Sequence, residues 1–274
     1  MTQNRLLPIT LSVCCLLLAG CVNSTQYDTL EQVEQPVDTL YNEALDTVLT
    51  GDIEKAGAQF EEVERQHPYS AWAVRAQVMA AWSFYQANQY SDAVNALDRF
   101  IELYPAHSYT EYAYYLRALS FYEQIVDVER DADMTRRALE AFEDLIRRYP
   151  EGTYARDSQL KLDLTRSHLA GKEMAVGRFY LEKGHFNAAI QRFEVVITQF
   201  DTTSQVPEAL YRLSEAYLSL GLIDEAERVG AVALYNYPNS VWTERLLVLV
   251  DDPTRPGPKS LLETLTDTTL NLFN

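Results

Sequence analysis

One local pattern recurs five times along the chain, and this repeat constrains the fold more than any other feature. The full pattern is a small residue at a turn, then an alanine, then a large apolar residue four positions later and a proline eight further on. The third copy lacks the turn residue, the fourth has Asp201 in place of the proline, and the fifth has Gly230 in place of the large residue. The copies are Gly51, Ala56, Phe60, Pro68; Asn88, Ala93, Leu97, Pro105; Ala138, Phe142, Pro150; Gly184, Ala189, Phe193, Asp201; and Gly221, Ala226, Gly230, Pro238. Successive alanines lie 37, 45, 51 and 37 residues apart.

Each position of the pattern has a physical reason. The small residue ends a first helix, because a left-handed backbone is accessible at low cost without a Cβ atom. The alanine allows two helices to approach closely, and the proline stops the second helix. A two-helix repeat with a period of about 34 residues is typical of tetratricopeptide proteins. The sequence therefore predicts an all-α superhelix of five irregular helical hairpins, since one hairpin cannot bury its own apolar face.

Two irregularities suggest how the repeats are grouped. In the third repeat, the residues from Ile125 to Met134 are additional to the repeat pattern and rich in Asp, Glu and Arg, and we expect a surface loop there. After the third repeat, residues 151–172 carry apolar Leu160, Leu164 and Leu169 at roughly helical spacing. We expect a linking helix over 151–172 that joins an N-terminal block of three repeats (37–150) to a C-terminal block of two (173–250).

The two ends differ from the repeats in composition. Residues 21–36 are polar and acidic, and are predicted to form a flexible tether. Residues 251–274 begin with a proline-rich linker that cannot continue a helix. A weakly amphipathic tail follows, with Leu261, Leu262, Leu265, Leu270 and Phe273. Three readings of this tail stay open: it is disordered, it folds back on the last repeat, or it binds a partner.

The N-terminus carries an export signal. Arg5 precedes an apolar run from Leu6 to Leu18, and Leu18-Ala19-Gly20-Cys21 reads as a lipobox. Residues 1–20 are then a lipoprotein signal peptide, and Cys21 carries acyl chains that hold the protein on a membrane. An ordinary cleavage site is the alternative. The run is too short and polar for a membrane-spanning helix.

Charge and residue types exclude several classes of function. The formal net charge is −17, so nucleic acid is an improbable partner. The other two cysteines, Cys14 and Cys15, lie in the predicted signal peptide, which leaves no thiol for catalysis or metal binding. The four histidines are scattered, and no nucleophile elbow, zinc or phosphate-loop motif occurs. The sequence predicts a non-enzymatic protein with no metal and no cofactor beyond the covalent lipid.

Aromatic residues concentrate in the first three repeats. First helices of such repeats line the concave face of the superhelix, where Tyr and Trp offer contact area with a polar tip. The candidates for a peptide groove are Tyr69, Trp72, Tyr109, Tyr112 and Tyr115, and packing between helices is the equal alternative for each. We expect Arg75 and Arg117 to hold a peptide carboxylate beside them.

The sequence also resembles the BamD family of outer-membrane β-barrel assembly lipoproteins. The resemblance spans about residues 38–241 and rests on the lipobox, the irregular repeats, and stretches such as Arg147-Arg148-Tyr149-Pro150 and Gly171-Lys172-Glu173-Met174. It implies a scaffold of the BAM complex that receives the C-terminal signal of unfolded outer-membrane proteins. It further implies docking to a POTRA domain of BamA, through a position that corresponds to Arg192, and association with other BAM lipoproteins.

The same resemblance implies where the protein works. Val22 in place of Asp after the lipidated cysteine is similar to enterobacterial signals for export to the outer membrane. We therefore expect a lipid anchor on the periplasmic face of the outer membrane of a Gram-negative bacterium. The competing hypothesis is another tetratricopeptide lipoprotein, an adaptor for peptidoglycan enzymes; the long linking helix and the insertion favour the first.

Overall fold

The repeats fold as consecutive helical hairpins. The computed structural model describes residues 34–125 and 132–251, and these form eleven helices and no strand. The helices are α1 (Val37–Leu49), α2 (Ile53–Gln66), α3 (Ala71–Gln86), α4 (Tyr90–Leu103), α5 (Thr110–Tyr122), α6 (Asp133–Arg148), α7 (Ala155–Glu182), α8 (Phe186–Gln199), α9 (Val206–Ser219), α10 (Ile223–Asn236) and α11 (Val241–Val250). Helices α1 to α10 pair as five hairpins in chain order, and the all-α prediction is confirmed.

The turn inside a hairpin depends on a left-handed residue. Gly51, Gly184 and Gly221 have φ angles of 89°, 76° and 75°, and Asn88 has φ of 59°. The amide that follows each of these residues donates to the carbonyl five positions back, as in Gln89 N to Phe84 O at 2.8 Å. This bond closes the end of the first helix and satisfies carbonyls that would otherwise lack a partner.

Each repeat's alanine and its large neighbour form the centre of the core. The five alanines at positions 56, 93, 138, 189 and 226 are all fully buried. Phe60, Leu97, Phe142 and Phe193 are fully buried as well. The packing is tight: a Cβ atom added to Gly177 on α7 would lie only 2.5 Å from the ring of Phe193 on α8. Close helix contact therefore requires small residues on one side and a large ring on the other.

The long helix α7 takes part in two clusters of buried residues. The first cluster extends from Leu40 on α1 to Leu162 on α7, and the second from Ala170 on α7 to Leu246 on α11. The predicted linking helix is thus continuous with the first helix of the fourth repeat. Leu160 and Leu164, which suggested the helix, are 60% and 52% exposed, so they are not its buried face.

Several predicted segments lie outside the described residues. These are the signal peptide with Cys21, most of the tether, residues 126–131 of the predicted loop, and the tail from residue 252. Helix α6 begins at Asp133, so the C-terminal end of the predicted loop is helical instead. The proposed division into blocks at residues 150 and 172 stays a prediction. Within the described ranges, no helix is both long and apolar enough to cross a bilayer.

Replacing Phe193 with Ala should lower the free energy of unfolding by about 3–5 kcal/mol, because it leaves a cavity beside Gly177. Phe179 is one helix away, 54% exposed, and provides the matched control. Phe179→Ala should cost about 1 kcal/mol or less. Chemical denaturation of both variants measures the difference, and equal losses would contradict the packing described here.

Candidate functional site

A groove crosses the first helices of the first three repeats. It has a volume of about 420 Å³. Its walls are Tyr41 on α1; Arg75, Val78 and Met79 on α3; Ser108, Tyr109, Glu111 and Tyr112 at the start of α5; and Thr153 and Tyr154 before α7. All these residues lie on first helices or directly before them, so the groove occupies one face of the repeat array.

A tyrosine wall closes the groove toward α7. The ring of Tyr154 lies 5.6 Å from that of Tyr112 and stacks on Tyr115 at 4.6 Å and 17°. The hydroxyl of Tyr115 donates to Asp157 Oδ2 at 2.6 Å, which fixes this stack from behind. Burial raises the pKa of Tyr112 to about 12, so its hydroxyl stays protonated at physiological pH and can donate to a ligand.

Glu111 holds the loop that carries Tyr154. Its Oε1 atom accepts a hydrogen bond from the backbone amide of Tyr154 at 3.1 Å. The loop approaches so closely that a Cβ atom at Gly152 would clash with the Glu111 carboxylate. Glycine at this position therefore lets the carboxylate reach the backbone, and Glu111 positions one wall of the groove.

Arg75 supplies a positive charge that no carboxylate of the described residues pairs with. Among the described residues, no carboxylate lies within salt-bridge distance of its guanidinium, and its recorded neighbour is the ring of Trp72 at 6.0 Å. Burial raises the pKa of Tyr41 across the groove, and the charge of Arg75 opposes part of that rise. A guanidinium with no carboxylate partner among the described residues can form hydrogen bonds with the carboxylate of a bound ligand.

Three of the predicted groove residues share the groove, and two others support it. Arg75, Tyr109 and Tyr112 line it directly. Trp72 packs on Tyr41 with ring centres 4.9 Å apart, and so braces the wall on the α1 side. Tyr115 supports the opposite wall through its stack on Tyr154. Helix packing and groove lining, the two alternatives for these aromatics, are thus combined in one face.

Tyr69 and Arg117 do not belong to the groove. Tyr69 precedes α3 and is fully exposed. The guanidinium of Arg117 contacts Asp98 on α4 at 2.9 Å and Asp144 on α6 at 3.6 Å. It also lies over the ring of Tyr114 at 5.0 Å. Its position on α5 directs Arg117 toward second helices, where two aspartates neutralise it, so the structure places it apart from the groove tyrosines.

Tyr154, a wall residue that the sequence analysis missed, could have been found from the repeat. Tyr109 and Tyr154 each lie four residues after the proline that closes a repeat, Pro105 and Pro150. Both occupy the position immediately before a first helix. Aligning the repeats on their prolines therefore identifies Tyr154 once Tyr109 is chosen. No comparable signal marks Glu111, whose role depends on a loop that comes 43 residues later.

Arg192 lies on α8, away from the groove. Its Nη1 atom is 3.0 Å from Glu173 Oε2 on α7, and its side chain is 43% exposed. The salt bridge orients the guanidinium while leaving part of it accessible. In the described part of the chain, no group of three or more His, Cys, Asp or Glu side chains is arranged to hold a metal ion.

The chain was compared with known proteins. A family model described as YfiO, outer membrane lipoprotein, matches residues 33–232. The chain is 46% identical to outer membrane protein assembly factor BamD of Caulobacter vibrioides, over 89% of this chain and 80% of the relative. It is 45% identical to the Rickettsia prowazekii protein of that name, over 83% of this chain and 89% of the relative. It is 31% identical to the Neisseria meningitidis serogroup A protein of that name, over 82% of this chain and 89% of the relative.

Replacing Glu111 with Ala should free the amide of Tyr154, because the only hydrogen-bond acceptor recorded for it is removed. Hydrogen bonds to charged groups contribute about 1.5–3 kcal/mol, so exchange of that amide should accelerate about tenfold or more. Glu111→Gln keeps an acceptor oxygen and should exchange nearly as the native chain does. Hydrogen exchange at Tyr154 is the measurement, and equal rates in the two variants would rule out this role for Glu111.

Proposed function

The chain belongs to the YfiO family of outer membrane lipoproteins, and from that premise we propose that its groove receives the C-terminal signal of unfolded outer-membrane proteins while a separate surface docks BamA. The protein is an outer-membrane protein assembly factor of the BamD type and acts within the BAM machinery. It is a non-enzymatic scaffold. Its proposed contribution is therefore to bind an unfolded outer-membrane protein and BamA at the same time and to hold them in a fixed relative position.

Arg75, which has no carboxylate partner in the described part of the chain, lies beside a tyrosine wall, and this pairing supports the groove assignment. An outer-membrane signal is short and extended, and ends in an aromatic residue and a carboxylate. Arg75 offers a planar donor for the carboxylate. Tyr112 and Tyr154, whose own ring centres lie 5.6 Å apart, form an aromatic wall against which the aromatic side chain of the signal can pack. The volume of about 420 Å³ suits a few residues rather than a folded domain.

The acidic surface supports the same proposal. The chain carries 40 acidic and 23 basic residues, and most described arginines are paired with carboxylates of the chain itself. An anionic peptide end is therefore repelled from much of the surface. An unpaired cation within the groove directs it to one place, so electrostatics favours one register of the bound signal.

The Arg192 surface is the proposed contact with BamA. It lies in the second helix of the fourth repeat, far along the sequence from the groove residues. Its partly exposed guanidinium can reach a carboxylate of a docked domain without breaking the salt bridge to Glu173, because an arginine has five N–H donors. Separate surfaces allow the substrate and BamA to be bound together.

Lipidation of Cys21 is the proposed anchor. Acyl chains there would hold the repeats at the periplasmic face of the outer membrane, with the residues before Val37 as a tether. More than one acyl chain gives stable attachment, whereas a single chain gives marginal binding. The scaffold then stays at the membrane where its substrates are inserted.

Arg75→Ala should weaken binding of a short synthetic peptide that ends in Phe with a free carboxylate, by about tenfold or more, since about 1.4 kcal/mol is tenfold. The same peptide with a C-terminal amide should bind both proteins equally weakly. Arg99→Ala, on a second helix, is the matched control and should leave affinity unchanged. Fluorescence anisotropy measures all combinations; equal losses for acid and amide peptides would sink the carboxylate assignment.

Arg192→Glu should weaken docking to BamA by about 2–5 kcal/mol, the cost of truncating one partner of a buried interfacial charge pair. Because the reversal also opposes Glu173, the double variant Arg192→Glu with Glu173→Arg restores the internal salt bridge. If the cation at 192 contacts BamA, the double variant stays defective in calorimetric titrations. Full rescue would mean that Arg192 acts only within the fold.

A further inference from the structure

Helix α11 begins in the same way as the first helix of a repeat, and it is the last helix of the described residues. Pro238, Ser240 and Trp242 repeat the spacing of Pro68, Ser70 and Trp72 before and within α3. Both serines are N-caps that accept a hydrogen bond from a backbone amide of the first turn. The correspondence continues to Arg245 and Arg75. Helix α11 thus begins as α3 does, as a sixth copy of the same element.

The outer face of α11 carries exposed apolar side chains, and no other described helix packs on it. Helix α3 packs against α2 before it and against α4 and α5 after it, whereas the described neighbours of α11 are α9 and α10. Val78 on α3 is 7% exposed, but Val248, at the corresponding position of α11, is 71% exposed. Val241, which lies two helical turns earlier on the same face, is 59% exposed. The difference follows from α4 and α5, which come after α3, whereas no helix is described after α11.

A depression with room for side chains lies along this face. It has a volume of about 580 Å³ and is lined by Tyr211 on α9 together with Val241, Glu244, Arg245, Val248 and Leu249 on α11. Arg245 lies over the ring of Trp242 at 5.0 Å and has no carboxylate partner recorded within the described ranges. The face therefore combines apolar contacts with one available cation.

We propose that residues 260–273 of the same chain cover this face as the second helix of the sixth repeat. The segment has the right length: it spans 14 residues, and α2, α4, α8 and α10 are each 14 residues long. As a helix it places Leu261, Leu265 and Leu272 on one side, with Leu262 and Phe273 at the border. Glu263 and Asp267 fall on the opposite side and give the polar outer face that a terminal repeat needs.

The connection between α11 and this segment has a precedent in the chain. Asp251 to Lys259 is nine residues, longer than the three-residue turns of most hairpins. The third repeat joins α5 to α6 through ten residues, Glu123 to Ala132, and still forms a packed hairpin. The segment contains no basic residue, so its acidic side chains can approach Arg245, while Glu244 on the same face is best accommodated at the solvent edge.

The occupant is this chain's own segment rather than a second copy or a partner protein. An intramolecular segment a few residues away has a high effective concentration at the face, so modest contacts suffice to keep it bound. The absence of an alanine within 260–273 means that it packs less closely than the internal second helices do. Terminal repeats are commonly atypical in this way, since they close the array instead of continuing it.

Hydrogen exchange on the purified full chain tests the proposal. Leu265→Asp places a charge on the packing side of the segment, and Leu270→Asp makes the same change about 140° away around the helix. We expect amides of α11 to exchange about tenfold faster or more in Leu265→Asp and at native rates in Leu270→Asp. Residues 260–273 should be protected in the native chain, and exchange there at unprotected rates overturns the proposal.

A cysteine pair distinguishes the occupants. Val248→Cys with Leu265→Cys should form a disulfide within one chain, whereas Val248→Cys with Leu270→Cys should do so poorly. Dimers linked between chains, together with protection of α11 that depends on concentration, would indicate a second copy and overturn the proposal. Protection of α11 that appears only when BamA is added would assign the face to that partner and overturn it as well.

Discussion

Close contact between helices at the repeat alanines is the constraint on which the rest of the structure depends. An alanine at this position lets two helices approach until a ring or a branched side chain of the neighbour fills the remaining space. Ala189 and Phe193 are both fully buried, and the ring of Phe193 leaves no room for a side chain at Gly177. A larger residue on either side would push the hairpin apart and change the angle at which the next repeat stacks.

Regular stacking explains why the groove exists. When hairpins repeat at a constant angle, equivalent positions of successive first helices come side by side on one face. Tyr109 and Tyr154 hold the same place relative to a closing proline, and so become neighbours along this face although they are 45 residues apart. The groove is thus a property of the array. No single repeat contains it, and each of the first four repeats contributes between one and four side chains.

The arginines of the chain fall into two groups that only their surroundings distinguish. Arg117 contacts two aspartates from adjacent second helices and lies over Tyr114, so its charge is neutralised within the fold. Arg75 has no such partner among the described residues and faces tyrosine rings across a groove. In a chain with many more acids than bases, an unpaired cation is the exception, and it marks a place where an anionic ligand is attracted rather than repelled.

The sequence by itself determined the elements and their order. Apolar spacing, small residues at turns and closing prolines are local signals, because the backbone conformations that they select depend on neighbouring residues. They predicted the five hairpins, the left-handed turns at Gly51, Gly184 and Gly221, and the burial of the repeat alanines, whereas the left-handed backbone of Asn88 emerged from the structure. The tertiary structure decided which side chains meet across repeats. Arg75 and Arg117 look alike in the sequence, but rotation about α3 and α5 turns one toward the groove and the other toward Asp98 and Asp144. The hydrogen bond from Tyr154 to Glu111 likewise joins residues 43 positions apart. Such contacts depend on the angle between hairpins, which is set by packing over the whole array and not by any local pattern.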